Sequence, residues 1–287
     1  MAVYKRNYRP YDGPLTDERW RFLVLPRYAF SQIFESRLFT SFFVLSFVPS
    51  LVAGVIIYLH HNLNALTAMD LNAAKDLLPI NAIFFQWVLW IQTTATFFIT
   101  AFVGPGLISP DLVNNALPLY LSRPFTRTEY VLGKMMVLVT LSSVVTWIPS
   151  FLLILLHTGL VGAGWLWENL RIPAAIFAAS WIWILTISLL SLAISAFVKW
   201  KPIAGFLHFG IFFVAAGFGE FTNEILETTW GTLLQLPLMM DWISDWLFLS
   251  KLPADFPIAA AWLSMLGVCV ISLALLARKI RACEVVR

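Results

Sequence analysis

The chain has 287 residues, of which 60% are apolar and 12% charged, with a net charge of +3. Soluble domains carry about 25% charged residues, and a single water-soluble core stops growing at roughly 250–300 residues, so this much apolar surface needs a bilayer as part of its solvent. A soluble enzyme and a disordered chain are excluded. A nucleic-acid binder is excluded too, because the basic residues are not gathered into one patch.

Residues 1–38 are expected to form a cytoplasmic, interfacial N-terminus. Thr16 or Asp17 caps a helix in which Trp20, Phe22, Leu23 and Leu25 mix with Arg19 and Arg21. Pro26 then separates it from a second amphipathic piece, residues 27–37. Both suit helices lying in the membrane interface, with aromatics dipping in and arginines at headgroup level. This prefix is charged and lacks a small-residue cleavage site after a short apolar core, so no secretory signal peptide is expected.

A spanning helix needs about 20 mostly apolar residues. Six stretches qualify: 39–59, 80–103, 135–157, 172–198, a short fifth at 203–219, and 258–277. The runs are continuous and do not alternate apolar with polar, so the expected fold is an all-α membrane protein of six transmembrane helices. Pro49 and Pro149 fall inside spans and predict kinks. With the N-terminus inside, the cytoplasmic segments hold 16 of the 19 Lys and Arg residues. That asymmetry places both termini in the cytoplasm. No repeat, linker or low-complexity tract divides the chain, which reads as one membrane domain, 1–287.

Two connecting segments are more than connectors. The first is a cytoplasmic loop, 104–134. Gly104-Pro105-Gly106 ends the second span, and Ser109-Pro110-Asp111 predicts a new helix with Ser109 as its cap and Asp111 complementing its dipole. Leu112, Val113, Ala116 and Leu117 form one face, and Pro118 ends it. Thr126-Arg127-Thr128-Glu129 is a capping box for the third span. Such a loop either takes a push from a soluble partner or packs only on its own bundle. The second segment, 220–257, holds six acids against Lys251 alone, yet also Trp230, Trp242, Trp246 and many Leu and Met. That apolar load predicts short re-entrant or interfacial helices on the outer side, which either cap a translocation path or form a simple extracellular cap.

Inside the membrane the second span is the most polar. Gln86, Gln92, Thr93 and Thr96 are the candidates for a substrate path, with Trp87, Trp90, Phe97 and Phe98 to accept its apolar part. The alternative is interhelical hydrogen bonding. Ser188, Ser191 and Ser195 share a face of the fourth span and predict close helix packing, either within the chain or across a dimer seam. Mid-membrane ionisable groups are few: His157 and Glu220 lie near outer ends and His208 is read as structural, which favours an external energy source over ion coupling. Adjacent His60 and His61 diverge on a helix and do not make a metal site. Cys269 and Cys283 are expected as free thiols. No protease or hydrolase motif occurs.

The run 111–134 resembles the segment after the second span in permease subunits of ATP-binding-cassette transporters of the type-2 exporter class. There an acidic residue opens a coupling helix, followed by a Leu-rich stretch, Ser-x-Pro-x-Ser/Thr-Arg and Leu-Gly-Lys. The matching residues are Asp111, 117–121, Ser122, Pro124, Thr126, Arg127, Leu132, Gly133 and Lys134. Asn115-Ala116 departs from a frequent Gly-Thr, and Asp111 stands where Glu is common. The six-span plan and the interfacial N-terminus are similar to that family as well. The resemblance implies an ATP-driven exporter permease working by alternating access in a bacterial cytoplasmic membrane. Asp111, Leu112 and Asn115 would then couple to the ATPase, with Arg123, Arg127 and Glu129 holding the loop. The chain has no Gly-x-x-x-x-Gly-Lys-Ser/Thr phosphate loop, so no cofactor is expected in it, and ATP and Mg would reside on a separate ATPase subunit. Implied partners are that ATPase, a second permease chain (identical or a paralogue) and membrane lipid. An apolar, aromatic bundle suits an amphipathic substrate. Alternatives are a non-transporting membrane scaffold or sensor and an ion-coupled secondary carrier.

Overall fold

The computed structural model describes residues 17–62, 79–117, 120, 126–250 and 257–282. Among these it contains helices and no strand. Six helical segments are long and apolar enough to cross a membrane: Arg37–His61, Ala82–Val113, Arg127–Val161, Arg171–Phe197, Lys201–Leu226 and Ile258–Ile280. The chain is therefore a multi-pass, membrane-type helical protein.

A 3₁₀ turn, Glu18–Leu23, runs straight into α1, Val24–Phe34. Pro26 lies in the first turn of α1, where its missing N–H has no helical partner to lose, so it joins the two amphipathic pieces instead of separating them. Ser36 caps the next helix by accepting from the Phe39 N–H. The first span is two helices, α2 (Arg37–Leu45) and α3 (Val48–His61), broken at Ser46-Phe47 just before Pro49. The second is α4 (Ala82–Val103) and α5 (Pro105–Val113). The third is α6 (Arg127–Val145) and α7 (Trp147–Val161), broken at Thr146, three residues before Pro149. Each proline removes one i→i−4 bond and crowds the carbonyl four residues back, so the breaks fall N-terminal to the prolines. After the short α8, Ala163–Glu168, the fourth span is α9, Arg171–Phe197, the fifth α10, Lys201–Leu226, and the sixth α12, Ile258–Ala282. Between the last two lie a 3₁₀ turn, Trp230–Leu234, and α11, Leu236–Phe248.

Two expected boundaries change. The fifth span is not short: it continues through Glu220 and Asn223 to Leu226, so the segment that began at residue 220 starts later. The reason is a tertiary dock. Asn223 Oδ1 accepts the Gly231 N–H at 2.7 Å, and a Cβ on Gly219 would sit 2.3 Å from the Gly231 carbonyl oxygen. The Trp230–Leu234 turn thus lies directly on α10. The second change is in loop 104–134, where residues 105–113 are already helix.

The third and fourth spans are central, with 67% of the apolar window of each buried, whereas the first, fifth and sixth bury 22%, 22% and 17%. The fourth packs against spans two, three, five and six. Two hydrophobic clusters are stacked along it. One, around Phe85, Ile176, Trp183, Met239 and Ile243, includes α11. The other, around Ile99, Ile108, Leu138 and Leu192, includes α5. The peripheral spans carry exposed faces such as Phe206, Phe213 and Phe218, as expected for helices solvated by lipid.

Candidate functional site

At the end of the bundle that carries Asp111, the helix after Val103 does not start at Ser109. It starts at Pro105, and Pro110 lies inside it. Ser109 is no N-cap because tertiary contacts satisfy the backbone that a cap would serve. The Ser195 hydroxyl, from the fourth span, accepts the Ile108 N–H at 3.1 Å and the Ser109 N–H at 3.0 Å and donates to the Pro105 carbonyl at 3.0 Å. One hydroxyl offers one donor and two acceptor positions, so Ser195 is saturated. Ser109 Oγ donates in turn to the Ser195 carbonyl at 2.9 Å. One turn earlier, Ser191 Oγ donates to the Thr100 carbonyl at 3.1 Å. It lies where a Cβ on Gly104 would come within 1.9 Å of it. The serine face of the fourth span is thus a close-packing face within the chain, which keys α5 to α9.

Asp111 points inward. Its carboxylate pairs with Lys134 Nζ at 2.7 Å and accepts from the Tyr130 hydroxyl at 2.8 Å. Both charged side chains are largely buried, at 15% and 11% exposure. Burial, then the Asp111 charge, raises the Tyr120 phenol above its ordinary value and keeps it neutral. Leu112 is half-buried and packs against the core. Val113, Asn114 and Asn115 are exposed instead. Asn115 has φ 49°, and the Ala116 N–H reaches back to the Asp111 carbonyl at 2.8 Å, so the helix ends in a left-handed turn that Asn tolerates better than other non-Gly residues. The Thr126–Glu129 capping box forms, with Glu129 accepting the Thr126 N–H at 2.6 Å. Arg127 is the first residue of α6 and half-buried. Arg123 lies outside the described residues, as do Thr16 and Cys283. Gly133 is where α1 approaches: a Cβ there would meet the Phe22 carbonyl oxygen at 2.8 Å.

In the middle of the bundle Gln92 is fully buried. Its Nε2 donates to Ser50 Oγ at 2.7 Å, and its Oε1 accepts from Ser150 Oγ at 2.7 Å, so one amide ties three spans. Thr96 is buried and bonds its own helix at the Thr93 carbonyl. The Trp183 indole N–H donates to that same carbonyl at 3.0 Å. Gln92 and the Trp183 indole therefore tie helices together, while Thr96 is satisfied within its own helix. His208 is buried among Phe97, Phe209 and Phe212. Cys269 is a free thiol.

Gln86 and Thr93 have a different setting. They line a cavity of about 710 Å³ between the second span and α11, with Trp87, Trp90, Asp241, Ser244, Asp245 and Ser250. Gln86 Nε2 donates to Asp245 Oδ1 at 2.6 Å and its Oε1 accepts from Ser250 Oγ at 2.6 Å. Burial, then the neighbouring Asp245 charge, raises Asp241 to about 6, partly offset by a hydrogen bond from Trp90. Arg171 fixes the far end of α11 by donating to the Leu247 and Trp246 carbonyls. Reasoning from sequence missed Asp241, Asp245 and Ser250, since they meet Gln86 across about 160 residues of chain. The acid excess of the segment was the available signal. Among the described residues no three His, Cys, Asp or Glu side chains are close enough together to hold a metal ion.

No family model matches the chain, and no curated protein matches it.

Proposed function

We propose that the chain is the membrane subunit of an ATP-driven exporter, moved by a separate ATPase that docks at the Asp111 end. The observation that carries this reading is the joint formed by α5. A short helix that closes the second span is locked to the third by the Asp111–Lys134–Tyr130 group. It is locked to the fourth by Ser195 and Ser109, and α1 lies on the third through Gly133. A displacement of α5 therefore acts on three spans at once. A loop that served only to connect two helices would not need saturated polar keys at each neighbour.

The resemblance of residues 111–134 to the coupling segment of type-2 exporter permeases supports the same reading, and the geometry gives its residues physical roles. Asp111 and Lys134 make the buried pair, and Gly133 admits the N-terminal helix. Asn115 takes the left-handed position for which Gly is the usual choice. The contact with the ATPase falls on Val113, Asn114 and Asn115, not on the inward-facing Asp111. In this reading the Asp111 end and both termini face the cytoplasm, and α1 lies at the interface. The 230–248 segment sits on the outer side as re-entrant helices, and the membrane is a bacterial inner membrane. A second permease chain completes the complex, and ATP with Mg is held by the ATPase.

The test is affinity purification of the tagged chain from its native membrane in a mild detergent. The expected result is a co-purifying ATPase whose turnover vanadate blocks. Reconstituted chain that moves solute along an ion gradient without any ATPase would overturn the reading.

A further inference from the structure

We infer that the cavity between the second span and α11 binds a lipophilic monovalent cation, an ammonium or phosphonium centre carried on an apolar body. The cavity combines three features that such a ligand needs. Its volume is about 710 Å³, within the range of sites for small organic molecules. Its polar wall has two carboxylates, Asp241 and Asp245, four residues apart on one face of α11, and no Lys or Arg among the lining residues. Its other wall is aromatic: Trp87 and Trp90, one turn apart on the second span, have ring centroids 5.8 Å apart at 72°. Indole faces attract cations, most strongly where water is thin.

The carboxylates are held in place by neutral donors, and no Lys or Arg is among the described residues that line the cavity. Asp245 takes a hydrogen bond from Gln86, which Ser250 steadies from behind, and Asp241 takes one from Trp90. These donors orient the oxygens without bringing a positive charge to them. Burial, then the neighbouring Asp245, raises Asp241 to about 6, so its charged form carries a cost here. A bound cation removes the cost. Trp87 and Trp90 remain 61% and 49% exposed, so the site opens sideways, where a hydrocarbon tail or aryl group stays in an apolar medium. An anion is repelled by the same carboxylates, and a purely neutral amphiphile makes no use of them.

As a binding site this stands without any ATPase; as the substrate class of the exporter it rests on the reading above. The experiment keeps the two apart by using the full chain alone, purified in dodecyl maltoside. Equilibrium dialysis measures radiolabelled tetraphenylphosphonium against tetraphenylborate, its isostere of opposite charge. Saturable binding of the cation is expected, with at least tenfold weaker binding of the borate. The Asp241→Asn/Asp245→Asn variant should lose at least tenfold in affinity, and Trp87→Leu, at an exposed position that leaves the fold intact, at least threefold. Competition by phosphatidylcholine but not phosphatidylglycerol would support the site with a choline headgroup as its occupant. Equal binding of the two isosteres, or an unchanged Kd in both variants, would overturn it. Such a failure leaves the ATPase co-purification standing, and failure of the co-purification leaves this binding standing.

Discussion

The two ends of this bundle treat polar groups in opposite ways. At the Asp111 end the key groups are buried and saturated. Ser195 makes all three of its hydrogen bonds within the chain, and Asp111 has both a cation and a phenol. At the Asp245 end Gln86, Asp241 and Asp245 are half-buried and line an open cavity whose two carboxylates have no Lys or Arg among the described lining residues. Buried polar groups without partners are expensive, so saturation marks a rigid joint, and residual charge in a cavity marks a place for something else to bind. In the proposed reading the first end transmits displacement and the second receives a ligand.

Substitutions at the two ends should therefore differ in what they damage. The largest effect is expected from Asp111→Lys, which sets two ammonium groups against each other in a buried pocket and should destabilise the fold by about 3–5 kcal/mol. The measurement is thermal unfolding in detergent, and an unchanged midpoint would mean the joint is not where the stability lies. Ser195→Ala comes next. It removes the hydroxyl bonds to the Ile108 and Ser109 N–H groups and to the Pro105 carbonyl, each worth about 0.5–1.5 kcal/mol net, and relaxation of α5 will recover part of the sum. Hydrogen exchange should speed up in residues 105–113 before anywhere else. At the opposite end Gln86→Leu should cost about 1 kcal/mol or less, since the half-buried Asp245 carboxylate and Ser250 hydroxyl that lose their partner are resolvated, and a larger loss would erase the contrast.

The smallest effect has the opposite sign. Asp241 is raised from 3.8 to about 6. Between those values the folded chain holds a proton that the unfolded chain releases, so stability from this group is full below pH 4 and is lost as pH rises through 6. Asp241→Asn should flatten that part of the profile and raise the midpoint modestly at pH 7.5, with no gain near pH 4. A variant less stable at pH 7.5 would show that the charge is compensated after all.

Much of this is legible in the amino-acid sequence. Apolar runs of about 20 residues located all six spans, because the bilayer sets that length directly. The Thr126–Glu129 box formed as written, since every group in it lies within four residues. What failed was local reasoning applied where tertiary partners decide. Ser109-Pro110-Asp111 has the pattern of a helix start, yet Ser195 from 86 residues away supplies the bonds, and Pro105 takes the first position. Glu220 looked like the end of a span, yet the dock of Gly231 on Gly219 and Asn223 carries the helix to Leu226. Of the four path candidates, Gln92 and Thr96 are buried with partners inside the bundle, while Gln86 and Thr93 reach a cavity whose other wall composition does not pair with them. The small-residue face of the fourth span was legible as close packing, but not as the key to α5.

In the proposed function the Asp111 end is driven from outside the chain through its exposed tip. The most direct measurement is vanadate-sensitive ATP turnover by the purified complex carrying Val113→Asp/Asn114→Arg, two exposed positions whose side chains leave the Asp111–Lys134 pair untouched. The variant chain is expected to insert and melt like the wild type while turnover in the complex falls at least fivefold. Turnover equal to wild type, with the ATPase still bound, would contradict it.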